Sequence, residues 1–531
     1  MELRDPVPVG TRFHITSGHL GTIKYVGPVD GTPGIWYGVE WDDPNRGKHD
    51  GVKDGRRYFT CLVPNAGSFI RPSKSLNFGV TFLAALSAKY VDEAHGVSDR
   101  ENIIFGSSKK AVEVEAVGFD KVRSKLRDLE RLREVSLDNE KVAFTDTPGQ
   151  IRRTCPNVRG LDLSTNLLPS WQVVAGITVE LPCLERLILN QNRFLALDGE
   201  LPATAFEHIV ELQLNDTLMT WAEFREVVCF MSALRVVELG YNRLTSLSAK
   251  SSKFVPLIHD LNFDINELSD WTSVATSLSD FVALRRLVLS RNGIRIIPPL
   301  SLECSPIQSV RSLALSANRL DDWQDLDRLS QWCPRLESLN LAGNFLSDSD
   351  GLARHSRQYA IAKIPTLLTL DGSAVSAKER TDSELFYLSF ISQHSSGNEE
   401  EICRAHPQWT ALCNKHGKPE EALPRKGDDN KISKSLITVN VYRCLTRPDK
   451  DQRHTGKLTP IKTLPTTKIA VFRLQLTKAL KLPRSAGRNM VEIWLCLEDG
   501  FVELCDDSHD LSWFGIEDGS DVFVTVNSTE Q

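Results

Sequence analysis

From residue 132 to the mid-340s, apolar residues recur on one template: positions one, four, six and eleven are apolar and position nine is Asn. Val158, Leu161, Leu163, Asn166 and Leu168 make one clean copy. Further copies start at Leu184, Leu234, Ile258, Leu284, Val310 and Leu336; Ile209 starts one with Thr217 in the Asn slot, and Leu132 a degenerate one with Glu140 there. Successive starts lie 24 to 26 residues apart. The alternation predicts one short strand per repeat, with template residues inward and the residues between them on an open sheet face. Asn166, Asn192, Asn242, Asn266, Asn292, Asn318 and Asn344 are expected to form a ladder that satisfies turn backbone left unpaired by the coil.

A repeat of this length and pattern is the leucine-rich-repeat signature and implies an α/β solenoid. Its open face would carry both signs: Asp162, Glu211, Asp216, Glu238, Asp260 and Asp264, then Arg186, Arg286 and Arg291, with Tyr241 as an aromatic. Mixed charge suits a folded protein better than a polyanion, so Arg186, Glu238, Tyr241, Arg286 and Arg291 are partner-binding candidates. Phe119, Val122, Leu126 and Leu129 predict an amphipathic helix as N-terminal cap, and Leu367–Gly372 with a helical run to about Ser392 the C-terminal cap.

The pattern changes on both sides of the array. Residues 9–73 hold short aromatic and β-branched runs punctuated by Gly, which predict a small all-β barrel. Residues 417–434 are charged and rich in Pro and Gly, as in a linker. Beyond them, Leu436–Tyr442 alternates as a strand, Ile469–Leu480 reads as a helix with Val471, Leu474, Leu476 and Leu480 apolar, and Val491–Leu497 and Asp521–Val526 read as strands. The domain plan is therefore 1–75, a connector and cap at 76–131, repeats with their cap at 132–392, a helical connector and linker at 393–434, and a last domain at 435–531.

Composition narrows the classes. The chain has 531 residues, 41% apolar and 25% charged, as expected for several soluble domains. A net charge of −6 argues against a general nucleic-acid or membrane-surface binder. Eleven Cys without a CxxC pair read as reduced thiols of a cytoplasmic protein. The start, Met1–Pro6, does not read as a signal peptide, and the longest apolar runs fall short of the roughly 18 residues of a membrane span.

Two fragments invite chemistry and do not sustain it. Cys403, His406, Cys413 and His416 have zinc-ligand types but lack paired-Cys knuckles. Asp146-Thr147-Pro148-Gly149 copies a GTPase switch with no phosphate loop to serve it, and reads as a turn. The sequence implies no metal or cofactor, and no residue pattern in it argues for catalysis.

Gly47-Lys48-His49-Asp50-Gly51, inside the N-terminal block, resembles the pentapeptide of the CAP-Gly domain, whose usual form has Asn where His49 stands. The resemblance implies a groove for acidic, aromatic-ended C-terminal tails, above all the Glu-Glu-Tyr end of α-tubulin. It assigns that role to Trp36, Lys48, His49, Asp50, Gly51, Phe69 and Arg71. A Gly-rich loop exposes backbone N–H groups, Lys48 supplies a point charge, and Arg71 a forked donor set. His49 cannot copy an Asn amide but has one donor and one acceptor nitrogen, so tail binding is expected to be pH-sensitive near the His pKa.

The C-terminal element order resembles a ubiquitin-like β-grasp, here a docking rather than a conjugating module. The multidomain order of CAP-Gly barrel, leucine-rich-repeat solenoid and ubiquitin-like domain resembles the tubulin-folding cofactor E family. That resemblance implies a cytoplasmic, cytoskeleton-associated, non-enzymatic chaperone. Its implied partners are α-tubulin, the other tubulin cofactors B, C and D, and the proteasome through the ubiquitin-like domain. The alternatives are a microtubule-binding CAP-Gly protein and a ubiquitin-pathway adaptor.

Overall fold

The structure, a computed structural model, describes residues 7–92, 129–247, 257–302, 304–346, 355–395, 398–419, 436–444, 446–448, 458–481, 491–497 and 500–526. The stretch expected as N-terminal cap lies outside these residues save Leu129, and so does nearly all of the linker at 417–434. Two compact units result, Met1–Pro419 and Glu420–Gln531.

The first module is a five-stranded antiparallel sheet in the order Gly67–Ile70, Ile35–Trp41, Leu20–Pro28, Arg12–Ile15, Leu76–Asn77. Phe13, Ile23, Tyr37, Val39 and Trp41 fill it, with Phe13 and Trp41 meeting edge to face at 5.4 Å. Phe59 is buried against Gly38, where a Cβ would come within 2.4 Å of its ring.

The repeats build one eleven-stranded sheet. Its strands run Glu134–Ser136, Gly160–Asp162, Arg186–Ile188, Glu211–Gln213, Val236–Glu238, Asp260–Asn262, Arg286–Val288, Ser312–Ala314, Ser338–Asn340 and Thr369–Leu370, all parallel, with Ser373–Ala374 turning back at the edge. From Leu132 to Leu336, each strand starts two residues after its template start, so the central residue is buried and its neighbours face out.

The Asn side chains close the coils as the repeat predicts. Asn192 Nδ2 donates to Leu163 O at 2.8 Å while its Oδ1 accepts from Asn166 N at 3.2 Å. Asn242 repeats this with Leu214 O and Thr217 N, both at 2.8 Å, and Asn318 with Leu289 O at 2.8 Å and Ile294 N at 3.1 Å. The residue before each ladder position turns the chain with positive φ: Thr165, Gln191, Asp216, Tyr241, Ile265, Arg291 and Ala317 lie between 51° and 61°.

Helices pack on the outer side of the sheet. Trp171–Thr178, Trp221–Val228 and Trp271–Leu278 each open on a Trp that is at most 2% exposed. Thr220 and Asp270 cap two of them by accepting backbone N–H bonds at 3.3 and 3.0 Å. At the far end, the helix Ala377–His394 packs with Ser356–Lys363 and Trp409–His416 around Tyr359, Tyr387, Leu388, Ile391, Trp409 and Leu412.

The second unit has strand order Leu458–Thr463, Ile437–Cys444, Asp521–Val526, Val491–Leu497, Gly500–Glu503, with a parallel central pair and antiparallel flanks. The helix Ile469–Ala479 covers one face, giving the ubiquitin-like β-grasp. Of the apolar residues read on this helix, Leu476 is buried and Leu480 packs against the core. Ile469, Phe472 and Leu476 are buried, whereas Leu474 is 71% and Val471 48% exposed. Spacings of three and four put 469, 472 and 476 on one stripe, and 471 and 474 fall beside it.

Candidate functional site

A cavity of about 480 Å³ opens on the first module beside the Gly47–Gly51 loop. Asp43 starts that loop by accepting Asn45 N at 3.0 Å, capping the tight turn Pro44–Arg46. Lys48 N and His49 N then donate to Gly67 O at 2.7 and 3.2 Å, and Gly67 N donates back to His49 O at 2.8 Å. The loop is thus stapled to the strand that carries Phe69. Its two glycines are geometric necessities. A Cβ at Gly47 would lie 2.0 Å from Asn65 O, and one at Gly51, where φ is +80°, 2.1 Å from Phe59 O.

Of the seven residues expected at the groove, Trp36, Lys48, His49 and Phe69 line this cavity. Asp50, Gly51 and Arg71 are not part of its lining. Asp50 holds Arg57 at 2.9 Å and accepts Cys61 N at 3.1 Å, and the bond to Arg57 sets its carboxyl below the ordinary value. The guanidinium carbon of Arg71 lies over the Trp36 ring, 3.8 Å from its centroid, and Arg71 donates to Ile35 O at 3.2 Å.

His49 does copy one function of an Asn. Its Nδ1 accepts Gly51 N at 3.0 Å, as an Asn Oδ1 would two residues before an amide, which leaves the proton on Nε2. The ring sits against Phe69 at 5.0 Å and Phe59 at 6.0 Å. Burial lowers its pKa from 6.5 and Lys48 adds to that, with Asp50 opposing. The expected pH sensitivity therefore moves below the ordinary His range.

The lining also includes residues that sequence reading did not single out for the groove. Arg46 lies over the Trp41 ring at 4.4 Å, and both border the cavity together with Lys53 and Ser68. Arg46 is adjacent to the pentapeptide, and a cation there was the available signal. Trp36 Nε1, Trp41 Nε1 and Arg46 Nε are buried without a hydrogen-bond partner. Lys48 makes no ion pair among the described residues. The lining holds three cationic side chains and no carboxylate. Such a cavity is rich in donors and poor in acceptors, so it suits an anionic ligand with an apolar part.

The five solenoid candidates are dispersed. Arg186 opens its strand and pairs with Glu134 at 2.7 Å. Glu238, whose pKa burial raises, accepts from Asn262 Nδ2. Arg286 opens a strand and is exposed, while Tyr241 and Arg291 occupy the turns at the other ends of strands, also exposed. Arg286 and Arg291 therefore do not form one patch. Tyr241 borders a second cavity of about 390 Å³ with Asp138, Asp162 and Asp216.

The metal-like quartet does not assemble. His416 Nε2 meets Glu384 at 2.6 Å, His406 stands edge-on to Tyr387 at 6.0 Å, and Cys403 Sγ meets Thr410 Oγ1 at 3.3 Å. Among the described residues, no group of three His, Cys, Asp or Glu is placed to hold a metal ion, and no helix is long and apolar enough to cross a membrane.

Residues 9–75 match the CAP-Gly domain family. The chain is 32% identical to the tubulin-specific chaperone E of Xenopus laevis over 99% of this chain and 100% of that protein. It is 30% identical to the Homo sapiens protein of the same name, over 97% and 98%. A solved Bik1 CAP-Gly domain with ETF peptide from Bim1 is 40% identical over 12% of this chain and 75% of that one, with a TM-score of 0.11. Likeness that runs end to end in both directions, on the three-part architecture above, settles the relationship: the chain belongs to the tubulin-specific chaperone E family.

Proposed function

We propose that this protein is a non-enzymatic tubulin-folding chaperone that takes α-tubulin by its C-terminal tail in the CAP-Gly groove. It would act in the cytoplasm, at the cytoskeleton, with cofactors B, C and D in assembling and dissociating the αβ dimer. The ubiquitin-like domain would dock partners, the proteasome among them. The observation that carries the reading is the groove's lining: the cations Arg46, Lys48 and Lys53 beside the rings of Trp36, Trp41 and Phe69, with no carboxylate among them. An acidic tail ending in an aromatic residue supplies what is missing, carboxylates for the donors and a ring for the apolar wall.

A short tail binds modestly, and a second contact on the solenoid would then act at high effective concentration. The test is titration of the full chain with an α-tubulin tail peptide with and without its terminal Tyr. The full tail is expected to bind tighter, and equal affinity would sink the groove assignment. Co-sedimentation separates a chaperone, which leaves tubulin in the supernatant, from a lattice binder, which pellets with microtubules.

A further inference from the structure

The CAP-Gly module is seated on the solenoid by a buried polar contact. Arg12, its side chain 0% exposed, holds both oxygens of Asp42 at 2.6 Å. It also donates to Thr22 Oγ1 at 3.0 Å and reaches the carbonyl of Asn166, a ladder residue of the solenoid, at 3.5 Å. Beside it, Leu20 of the module is buried against Ala143 and Leu167 of the first coils. Gly10 comes so close to Leu195 that a Cβ would lie 2.5 Å from its Cδ1. The strand Val80–Thr81, just past the module, pairs in parallel with Val142–Phe144.

This contact also reaches the groove. Asp42 follows Trp41, which borders the cavity, and precedes the capped turn that delivers Lys48. Burial pushes the Asp42 carboxyl up, but Arg12, with help from Arg193 of the solenoid, holds it below its ordinary value. The pair stays ionised at neutral pH, and a planar guanidinium gripping both carboxylate oxygens fixes direction as well as distance.

We propose that Arg12 is a positioning residue, which with the Leu20–Ala143–Leu167 contact locks the groove to the first coils so that a tail-held partner meets the concave face at one fixed offset. The proposal rests on the tail reading of the groove. A module on a loose tether would sample many offsets and dilute the second contact, whereas a locked one presents both contacts together.

The test uses the full chain with fluorophores placed by non-canonical residues at two exposed positions, Asp54 in the module and Val282 in the solenoid. One narrow transfer efficiency is expected. Arg12→Ala, Ala143→Asp and Leu195→Asp should broaden it, and Arg12→Lys, which keeps the charge but not the fork, should do so partly. Leu195 is 43% exposed, so its variant keeps the test open where Ala143→Asp disturbs folding. In the two solenoid variants, tail-peptide affinity should stay within about twofold while capture of intact α-tubulin falls about tenfold or more. A broad distribution in the unmodified chain, a narrow one that the variants leave unchanged, or a freed module with undiminished capture would each overturn the proposal. Failure of the tail reading shows separately, as peptide binding that Lys48→Ala does not weaken, whatever the fluorescence reports.

Discussion

The ladder Asn residues and the groove donors share one unit and treat buried polar groups in opposite ways. Each ladder amide is saturated by neighbouring coils: Asn242 alone gives to Leu214 O and Gly240 O and takes from Thr217 N and its hydroxyl. In the groove, Trp36, Trp41 and Arg46 keep buried nitrogens without a protein partner. Buried polar groups are costly unless bonded. Unbonded buried nitrogens also occur in the solenoid core, at Arg225 and Trp271. What sets the groove apart is therefore its cations Arg46, Lys48 and Lys53, with no carboxylate in the lining. Saturated amides hold the fold, and the tail reading uses those cations.

Deleting a saturated amide should hurt stability and spare recognition. Asn242→Ala is expected to cost about 3 kcal/mol of unfolding free energy, because it strands buried backbone groups in two coils, and to leave tail-peptide affinity unchanged; chemical denaturation and peptide titration read the two. Deleting an open donor should do the reverse. Lys48→Ala and Phe69→Ala are each expected to weaken the tail peptide by about 1–2 kcal/mol, with the melting temperature of the Lys48 variant unchanged. A ladder variant that loses peptide binding at full folding would break the division.

The solenoid face gives a third, smaller effect. Arg286→Glu and Arg291→Glu, made singly because they lie at opposite ends of their strand, should leave peptide affinity intact. Whichever touches the tubulin body should weaken capture of intact α-tubulin by about 1 kcal/mol, the scale of a rim charge. Normal capture by both would reduce these two positions to solubilising charges.

His49 blurs the division, since its Nδ1 is bonded within the loop while the residue itself lines the cavity. Its folded pKa lies below 6.5, so as pH falls the unfolded chain takes up the proton first. Its contribution to stability is complete above about pH 6.5 and is lost as pH falls from there through the folded value. His49→Asn keeps the acceptor and should flatten this dependence in melts recorded between pH 5 and 8, with peptide affinity at pH 7.5 changed about twofold at most.

What could be read from sequence follows the range of the physics. The strand register and Asn ladder were legible because a template repeated every 24 to 26 residues leaves one consistent inward side. The pentapeptide was legible because Gly47 and Gly51 are demanded locally by backbone a few ångströms away. No position of the repeat template marks the helices, although Trp171, Trp221 and Trp271 stand fifty residues apart, a spacing of two repeats. Arg12 reaches across 30 residues to Asp42 and 154 to Asn166, and no local pattern announces such a pairing. In the ubiquitin-like helix, Val471, Leu474 and Leu476 are apolar on neighbouring stripes, and only the sheet selects Leu476 for burial.

The left-handed turns before each ladder position have a consequence for how this surface can diverge. A non-glycine residue there sits about 1–2 kcal/mol above its relaxed backbone, yet Thr, Gln, Asp, Tyr, Ile, Arg and Ala all occupy the column, and only Gly343, at the last ladder position, takes the unstrained option. Because the Asn amides fix the turn, each such position works as a socket whose occupant can be exchanged without shifting a strand. One edge of the solenoid is thereby a row of varied fittings on a repeated frame, where side-chain chemistry changes from coil to coil while the geometry stays put.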